Sequence, residues 1–372
     1  MIYWFDPIFP LDIIYNILNY LTILFVLVVI GVKYKTEKNI LLLLVVTSIV
    51  PFLINGPLMP WWALADQSKF LRRTMLLRDF DFAMQEEFYT VRVPAYIFFF
   101  SPIPFIENFN AIGLLNRLYL ALLIIFLARK KLNKVFIYYL ILSPTLLLYS
   151  SSALKESIVL ISSLLSLYCI IEKKYFVFWF PFLILLTSKF QNAYIVLLMY
   201  VSYIYCFSIN FKLKKIINKI LIFSILLLFI IYSELLTFHL NKFATSFLFE
   251  NNTVLGSKIH IEYTNLINVF LRLPEKLSIF FLSPFPHIVS PIKLIIFIDN
   301  LFLILLIALH FKKLLMNNLK QFYFWFTNFL IFSSMYALTV VNHGTISRYR
   351  MSYFIPFLFI LFYLDKKKIG KR

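Results

Sequence analysis

The stretch Asn342–Arg350, N-H-G-T-I-S-R-Y-R, separates two apolar runs, Phe322–Val341 and Met351–Leu364. Runs of this kind fill the chain: of its 372 residues, 62% are hydrophobic and 14% are charged, and the mean hydropathy is +0.86. Ordinary globular domains are roughly 45–50% apolar and about 25% charged. The pattern therefore predicts an all-α fold, a polytopic helical membrane protein in which short polar stretches separate the spans.

Apolar runs predict about eleven transmembrane spans within a single integral membrane domain, residues 1–372. The approximate bounds of the spans are 11–32, 40–54, 110–128, 135–150, 156–171, 175–190, 191–209, 216–236, 290–311, 322–341 and 350–364. Several runs are shorter than the ~20 residues that cross a bilayer untilted, so their ends are approximate. The segment 94–106 contains three prolines and is predicted to be re-entrant or interfacial. The first run has no basic region before it and no cleavage site, which indicates a retained span.

Lysine clusters predict the orientation in the membrane. The loops after spans 1, 3, 5, 7 and 9, together with the C-terminal tail, hold nineteen lysines and two arginines. Because short basic loops stay in the cytoplasm, the N-terminus is predicted outside and the C-terminus inside. The long loops 55–109 and 237–289 are then extracytoplasmic. The net charge of +19 does not predict nucleic-acid binding, because the lysines lie in short clusters between apolar runs.

Arginine does not follow lysine to the cytoplasmic side. The arginines on the predicted outer side, or in the outer half of a span, are Arg72, Arg73, Arg78, Arg92, Arg117, Arg272, Arg348 and Arg350. The guanidinium group is planar and permanently charged, and it binds phosphate or carboxylate through two parallel hydrogen bonds. This distribution predicts that an anion is handled on the outer face.

The stretch Asn342–Arg350 is the first candidate anion site. It places Arg348, Arg350 and His343 at the predicted outer boundary of the membrane, a position that suits a diphosphate head group. The alternative is that the two arginines only anchor a helix end by extending toward water.

The first outer loop contains a candidate catalytic base. Asp66 follows soon after a membrane exit and precedes an amphipathic stretch with Arg72 and Arg73. A carboxylate beside a cavity can accept a proton from an attacking hydroxyl group. The alternative is that Asp66 is the N-cap of the helix that follows it.

Two outer turns carry further candidates. The stretch 149–156, Y-S-S-S-A-L-K-E, joins the fourth and fifth spans and ends in Lys155, a candidate phosphate ligand, and Glu156, a second candidate base. The alternative is that its serines only cap the fifth span. Lys189 lies in the turn between the sixth and seventh spans, where it is either a site residue or simply solvated.

Arg117 and Asp299 lie several residues inside their predicted spans. Charges at such depth are costly unless they are paired or face a wet cavity, so the two form either a structural ion pair or part of a functional site. No metal or cofactor is predicted. His260, His287 and His343 lack the spacing of zinc ligands, and nucleotide-binding and hydrolase motifs are missing from the sequence.

This combination resembles the GT-C class of polyprenyl-linked glycosyltransferases in its Asp66-bearing first outer loop and the amphipathic segments after it. The turn Ser151–Glu156 and the segment Ser347–Arg350 before the last span resemble bacterial enzymes of surface polysaccharide biosynthesis. O-antigen repeat-unit polymerases are similar in having many spans, large outer loops and functional outer arginines.

The resemblance implies a polymerase in the bacterial inner (cytoplasmic) membrane that acts in lipopolysaccharide or related polysaccharide biosynthesis. It would join oligosaccharide units carried on a polyprenyl diphosphate such as undecaprenyl diphosphate. Arg348 and Arg350, with Arg72, Arg73 or Lys155, would hold the diphosphate, and Asp66 or Glu156 would deprotonate the acceptor hydroxyl. The expected partners are this lipid-linked saccharide and membrane lipid, with a chain-length regulator as a further candidate.

Two alternatives stay open. One is a GT-C enzyme that moves a single sugar from a polyprenyl phosphate. The other is a flippase or transporter for the same lipids, which needs a polar path through the whole membrane and usually shows internal symmetry. The predicted intramembrane charges lie in the outer half, and no internal repeat is visible, which favours the enzyme.

Overall fold

The computed structural model describes residues 10–55, 58, 66–80, 89–208, 237–238, 240–241, 263–285, 290–340 and 343–369. Over these residues the fold is helical, without a β-strand. The helices are α1 (Pro10–Lys33), α2 (Lys38–Thr47), α3 (Val50–Ile54), α4 (Asp66–Arg78), α5 (Tyr89–Phe99), α6 (Phe109–Arg129), α7 (Lys134–Leu142), α8 (Pro144–Ser151), α9 (Glu156–Ile171), α10 (Tyr175–Ser188), α11 (Phe190–Ser208), α12 (Leu266–Leu282), α13 (Pro291–Asn317), α14 (Leu319–Thr339) and α15 (His343–Ile369).

Four helices in the described residues are long and apolar enough to cross a membrane, and the bent pair α7–α8 makes a fifth if it is one span. The four are Asp12–Lys33, Phe109–Arg129, Phe190–Phe207 and Pro291–Asn317. These apolar helices indicate a membrane protein and confirm the helical class. The prediction of eleven spans is not confirmed: several predicted spans are shorter helices, and the span predicted at 216–236 lies outside the described residues.

Proline and serine interrupt the span predicted at 135–150. The structure has two helices there, α7 and α8, bent by 52° at Ser143. Pro144 cannot donate a backbone hydrogen bond to α7, and its ring disfavours helical geometry at the residue before it. Ser143 ends α7 and caps α8, because its side-chain hydroxyl accepts a hydrogen bond from the backbone N–H of Leu146 at 3.3 Å.

The last helix is longer than predicted. α15 begins at His343, whereas the sequence places the final span at 350–364. Ile346, Ser347 and Arg350 are buried, with the three- and four-residue spacing of one helical face. The polar stretch around Arg350 is therefore part of a helix that packs against its neighbours.

The chain divides into two compact units: Met1–Tyr194 with Phe362–Arg372, and Ile195–Leu361. In the first unit α6 is central. Of its most apolar stretch, 78% is buried, whereas the corresponding figure for α1 is 17%. A helix that is apolar all round is typical of a core position. The predicted single membrane domain stays a prediction.

Aromatic rings form the core of the second unit. Phe354 of α15 contacts the rings of Phe280 and Phe281 in α12 and of Phe329 in α14, with centroids 5.2–5.7 Å apart. Aromatic pairs at such distances contribute about 0.5–1.5 kcal/mol each beyond the burial of their area. These contacts fix the three helices against each other and thereby place Arg350.

Candidate functional site

A buried break in the backbone separates α8 from α9. α8 ends at Ser151 and α9 begins at Glu156, and between them Ser152, Ala153 and Leu154 are fully buried. Helices satisfy their own backbone groups, but an irregular segment does not. In a membrane protein such a segment is tolerated only where it is buried in protein or lines a cavity. The break therefore requires partners from other helices.

Three amide side chains supply those partners. Asn116 of α6 donates to the carbonyl oxygens of Ser152, at 2.9 Å, and Leu154, at 2.6 Å. Gln67 of α4 accepts a hydrogen bond from the N–H of Ala153 at 2.7 Å, and Asn55 donates to the carbonyl of Ser151 at 2.9 Å. The break is thus held from three sides. We call the residues 150–156 with these amides and Arg117 the polar centre.

Close approach of α6 to the break depends on Gly113. A Cβ atom at this position would overlap the backbone carbonyl of Ser151. Gly113 and Asn116 are three residues apart on α6 and so share one face of the helix. The backbones can meet only where glycine leaves room, and Asn116 then reaches the carbonyls of the break.

Arg117 is a buried cation held by neutral groups. Its side chain is 2% exposed, and the guanidinium donates to the hydroxyl of Ser150 at 2.9 Å and to that of Thr47 at 2.6 Å. Within the described residues of the first unit, no carboxylate forms an ion pair with Arg117. A buried charge is costly without a counter-charge, so the polar centre is suited to receive an anion. Asp299 belongs to the second unit, and its pairing with Arg117 stays a prediction.

Lys155 and Glu156 lie at the start of α9. Glu156 is buried and occupies the first turn, where the helix dipole favours a carboxylate. Lys155 is half-buried, with its ammonium 5.8 Å from the ring centroid of Phe70. The alternative that serines cap α9 is wrong, because Lys155 is the N-cap residue and α9 has no side-chain cap. Ser152 instead donates back to the carbonyl of Tyr149.

Asp66 is the first residue of α4, and its carboxylate lies 3.0 Å from the ammonium of Lys69. The two side chains are 44% and 65% exposed, so this pair contributes about 0–1 kcal/mol. The N-cap alternative stays a prediction. Farther along α4, Arg73 is buried and Arg72 is exposed. The two arginines therefore do not share one environment, and the catalytic role of Asp66 stays a prediction.

Arg78 is the last residue of α4 and binds the irregular segment between α5 and α6. It donates to the carbonyls of Pro104 at 2.7 Å and Ile103 at 2.8 Å. Partial burial lowers the pKa of its guanidinium, and the nearby Glu107 opposes this shift. At least one arginine of the predicted outer group thus has a structural role.

Lys189 lies between α10 and α11 and is 5% exposed, so the alternative of a simply solvated lysine is wrong. Its backbone N–H donates to the carbonyl of Leu185 at 2.7 Å, which closes the last turn of α10. Asn192, in the first turn of α11, is also buried. Burial of a lysine needs polar surroundings, which keeps Lys189 among the candidate site residues.

In the second unit Arg350 holds the end of α12. It is 2% exposed and donates from one nitrogen, Nη1, to the carbonyls of Phe280 at 3.0 Å and Phe281 at 3.2 Å. Asn300 of α13 also donates to the carbonyl of Phe281. The last carbonyls of a helix lack partners within the helix and attract cations. Because Arg350 is buried, it is not a helix anchor that extends toward water.

The other predicted residues of the second unit are less fully placed. Arg348 is half-buried on α15, and Asp299 is buried on α13. The side chain of His343 and the residues His260 and His287 lie outside the described part. Arg348 and Arg350 belong to one unit, whereas Asp66, Arg72, Arg73, Lys155 and Glu156 belong to the other. A joint diphosphate site made by both groups stays a prediction.

Sequence analysis missed the amides of the polar centre. Asn55, Gln67 and Asn116 were not predicted as site residues, nor was Gly113. The signal for Asn116 is its position beside Arg117 in an otherwise apolar run. Within the residues that the structure describes, no group of three histidine, cysteine, aspartate or glutamate side chains could hold a metal ion.

These features define a helical membrane protein with a buried polar centre at a helix break. No family model, curated protein or solved structure matches the chain.

Proposed function

We propose that this protein is a membrane glycosyltransferase that polymerises oligosaccharide units carried on a polyprenyl diphosphate, at the outer face of a bacterial inner membrane. The observation that supports this proposal most is Arg117, a fully buried guanidinium among hydroxyl groups, beside a break that carries Lys155 and Glu156. Anionic substrate groups would supply the negative charge that the described neighbours of Arg117 do not.

The proposed reaction joins two lipid-linked saccharides. A hydroxyl oxygen of the acceptor attacks the anomeric carbon of the donor, and the bond from that carbon to the diphosphate oxygen breaks. The polyprenyl diphosphate leaves with the bonding electrons, while the hydroxyl proton passes to Glu156 or Asp66. Stabilising charge on a leaving group is commonly the largest catalytic contribution, and Arg117, Lys155 and the outer arginines would provide it.

The same scheme fits a GT-C enzyme that transfers one sugar from a polyprenyl phosphate, because both reactions release an anionic lipid. The two differ in the donor: a whole repeat unit for the polymerase and a single sugar for the alternative. We favour the polymerase on the resemblance of the segments Ser151–Glu156 and Ser347–Arg350.

A transporter of lipid-linked saccharides is the second candidate. The bent pair α7–α8 and the break before α9 favour it, since discontinuous helices form the substrate sites of many transporters. Such a protein would move the lipid across the bilayer without forming a glycosidic bond.

Reconstitution of the purified protein in liposomes tests the three functions together. A lipid-linked repeat unit should be converted into a ladder of longer products, whereas a single-sugar donor should not. Arg117→Gln should abolish the ladder. Arg129→Gln is the matched control, because Arg129 is an exposed arginine on the same helix, with its guanidinium 4.9 Å from the ring centroid of Tyr34. Transport of the lipid without product, or transfer of one sugar only, would contradict polymerisation.

A further inference from the structure

An apolar pocket of about 400 Å³ lies among α5, α6, α9 and α10 of the first unit. α6 and α9 form its two long walls, with side chains at matching positions. The residues on α6 are Tyr119, Leu122, Leu123 and Phe126. Those on α9 are Ile158, Ile161, Ser162 and Leu165. Each set follows the i, i+3, i+4, i+7 spacing of one helical face. Pockets that hold small ligands measure about 300–1,000 Å³, so this one is large enough for a segment of a ligand.

The pocket is elongated along two parallel helices. Asn116 of α6 donates a hydrogen bond to the carbonyl of Leu154, just before α9. Near the end of α9, the rings of Phe126 and Tyr168 pack edge to face, with centroids 5.6 Å apart. Both helices therefore run in the same direction away from the polar centre. Tyr119 and Phe126 are seven positions apart, which corresponds to roughly 10 Å at a rise of 1.5 Å per residue. This shape fits part of a chain rather than a compact ring.

The walls offer almost no hydrogen bonds. Of the two hydroxyl groups in the lining, that of Tyr119 donates to the carbonyl of Ile97 at 3.0 Å. Most lining side chains are only partly buried, Ser162, Ile158 and Leu123 being the buried ones, so the pocket can be entered. A hydrocarbon chain is the occupant that such a lining suits.

Beyond the end of the pocket near the break lies Lys155, whose ammonium is 5.8 Å from the ring centroid of Phe70. Lys155 precedes Ile158 by three residues and Ser162 by seven, so it lies in line with the pocket face of α9. A bilayer is as apolar as the pocket, and apolar walls alone give no preference over surrounding lipid. Selection must therefore come from the shape of the chain and from a head group near Lys155.

We infer that this pocket binds the first part of the polyprenyl chain of the lipid carrier, with the phosphate next to Lys155. The inference rests on the proposed function for the identity of the chain, and on the apolar lining and the nearby Lys155 for its location. It places the methyl-branched chain between α6 and α9 and the phosphate at the start of α9, beside the polar centre.

Photolabelling of the full-length protein in phosphatidylcholine nanodiscs tests this inference. Two probes with the same anionic phosphate are compared, a diazirine-bearing polyprenyl phosphate and a diazirine-bearing phosphatidic acid. The polyprenyl probe should label peptides of α6 or α9, and unlabelled polyprenyl phosphate should compete. Lys155→Gln should weaken this labelling roughly fivefold, the effect of about one lysine on an anionic lipid.

A filling variant and its control locate the site. Leu122→Trp narrows the pocket and should reduce labelling, whereas Leu183→Trp adds the same ring on α10 at a side chain that is 54% exposed and should leave it unchanged. Melting temperatures equal to that of the unsubstituted protein show that both variants are folded. If Leu122→Trp unfolds, the site is tested in the unsubstituted protein instead. The tests are whether unlabelled polyprenyl phosphate competes and which peptides carry the label.

Two results would overturn the inference: equal labelling by both probes, which indicates ordinary bilayer lipid in the pocket, or labelled peptides outside α6 and α9. Because neither probe carries a sugar, the labelling result does not depend on whether the protein is a polymerase. Specific labelling without polymer formation would reject the polymerase and keep the pocket. Polymer formation with no labelling of the pocket would reject the pocket inference and keep the polymerase.

Discussion

Arg117 donates to the hydroxyl of Ser150 at 2.9 Å and so joins the middle of α6 to the last turn of α8. Ser150 also donates to the carbonyl of Leu146, and the second partner of Arg117, Thr47, donates to the carbonyl of Leu43. We therefore expect these two hydroxyls to stay hydrogen-bonded in a variant without the guanidinium.

This arrangement predicts that Arg117→Gln separates stability from activity. Thr47 and Ser150 retain their backbone acceptors, so we expect the free energy of unfolding to change by about 1 kcal/mol or less. Product formation should fall by at least about two orders of magnitude if the guanidinium stabilises the leaving group. Unfolding in detergent and the liposome assay measure the two quantities. Equal loss of both in Arg117→Gln would assign a structural role to the arginine.

Gly113→Ala should be strongly destabilising, since its methyl group would collide with the backbone carbonyl of Ser151. Overpacking against a rigid backbone typically costs about 1–3 kcal/mol or more. The matched control is Gly31→Ala, where the added carbon would lie 2.6 Å from the end of the flexible Leu41 side chain. Thermal unfolding should show a large loss for the first variant and a small one for the second. A stable Gly113→Ala protein would mean that α6 does not approach the break this closely.

Asn116→Asp should disrupt the break between α8 and α9. The carboxylate cannot donate to the carbonyls of Ser152 and Leu154, and each buried group left without a partner costs about 1–3 kcal/mol. Asn133→Ala is the comparison, because Asn133 caps α7 at an exposed position and its loss should cost about 1 kcal/mol. Limited proteolysis within 150–156 checks the local effect. Protection of that segment in Asn116→Asp would contradict the assigned contacts.

Arg350→Lys distinguishes the two roles of this residue. In the structure one nitrogen of Arg350 serves both carbonyls of α12, and a lysine ammonium can do the same. A lysine cannot bind a diphosphate through two parallel bonds. We therefore expect Arg350→Lys to keep most of the stability that Arg350→Ala loses. Normal polymer length in Arg350→Lys would eliminate a bidentate diphosphate role, and lost polymer in a stable protein would support it.

The two candidate bases differ in environment, and paired substitutions can rank them. Glu156 is buried beside the break, whereas the side chain of Asp66 is 44% exposed and paired with Lys69. We expect Glu156→Gln to reduce product formation by about 10²–10⁴-fold, the usual contribution of a general base, and Asp66→Asn to have a smaller effect. Initial rates of product formation by the two variants, measured at a saturating acceptor concentration, test this ranking. A larger loss of activity in Asp66→Asn would identify Asp66 of α4 as the general base.

Hydropathy predicted several helices closely. The fifth predicted span, 156–171, has the same bounds as α9, and 110–128 differs from α6 by one residue at each end. These helices follow from apolar composition and from caps such as Asn108, whose side chain accepts from the N–H of Ala111. The bend at Ser143 was missed because it interrupts an apolar run without changing its composition. The early start of α15 was missed because the first residues of this helix are mostly polar and hydropathy therefore excluded them from the span.

Sequence by itself determined that this chain is helical and apolar enough for a membrane, because composition and the length of apolar runs decide which segments can lie in lipid. It also marked Arg117, Lys155 and Glu156 as unusual. Only the tertiary structure decided what surrounds them. Backbone carbonyls and amides have no sequence signature, so the contacts of Asn116 with the break, and of Arg350 with the end of α12, required the packed helices.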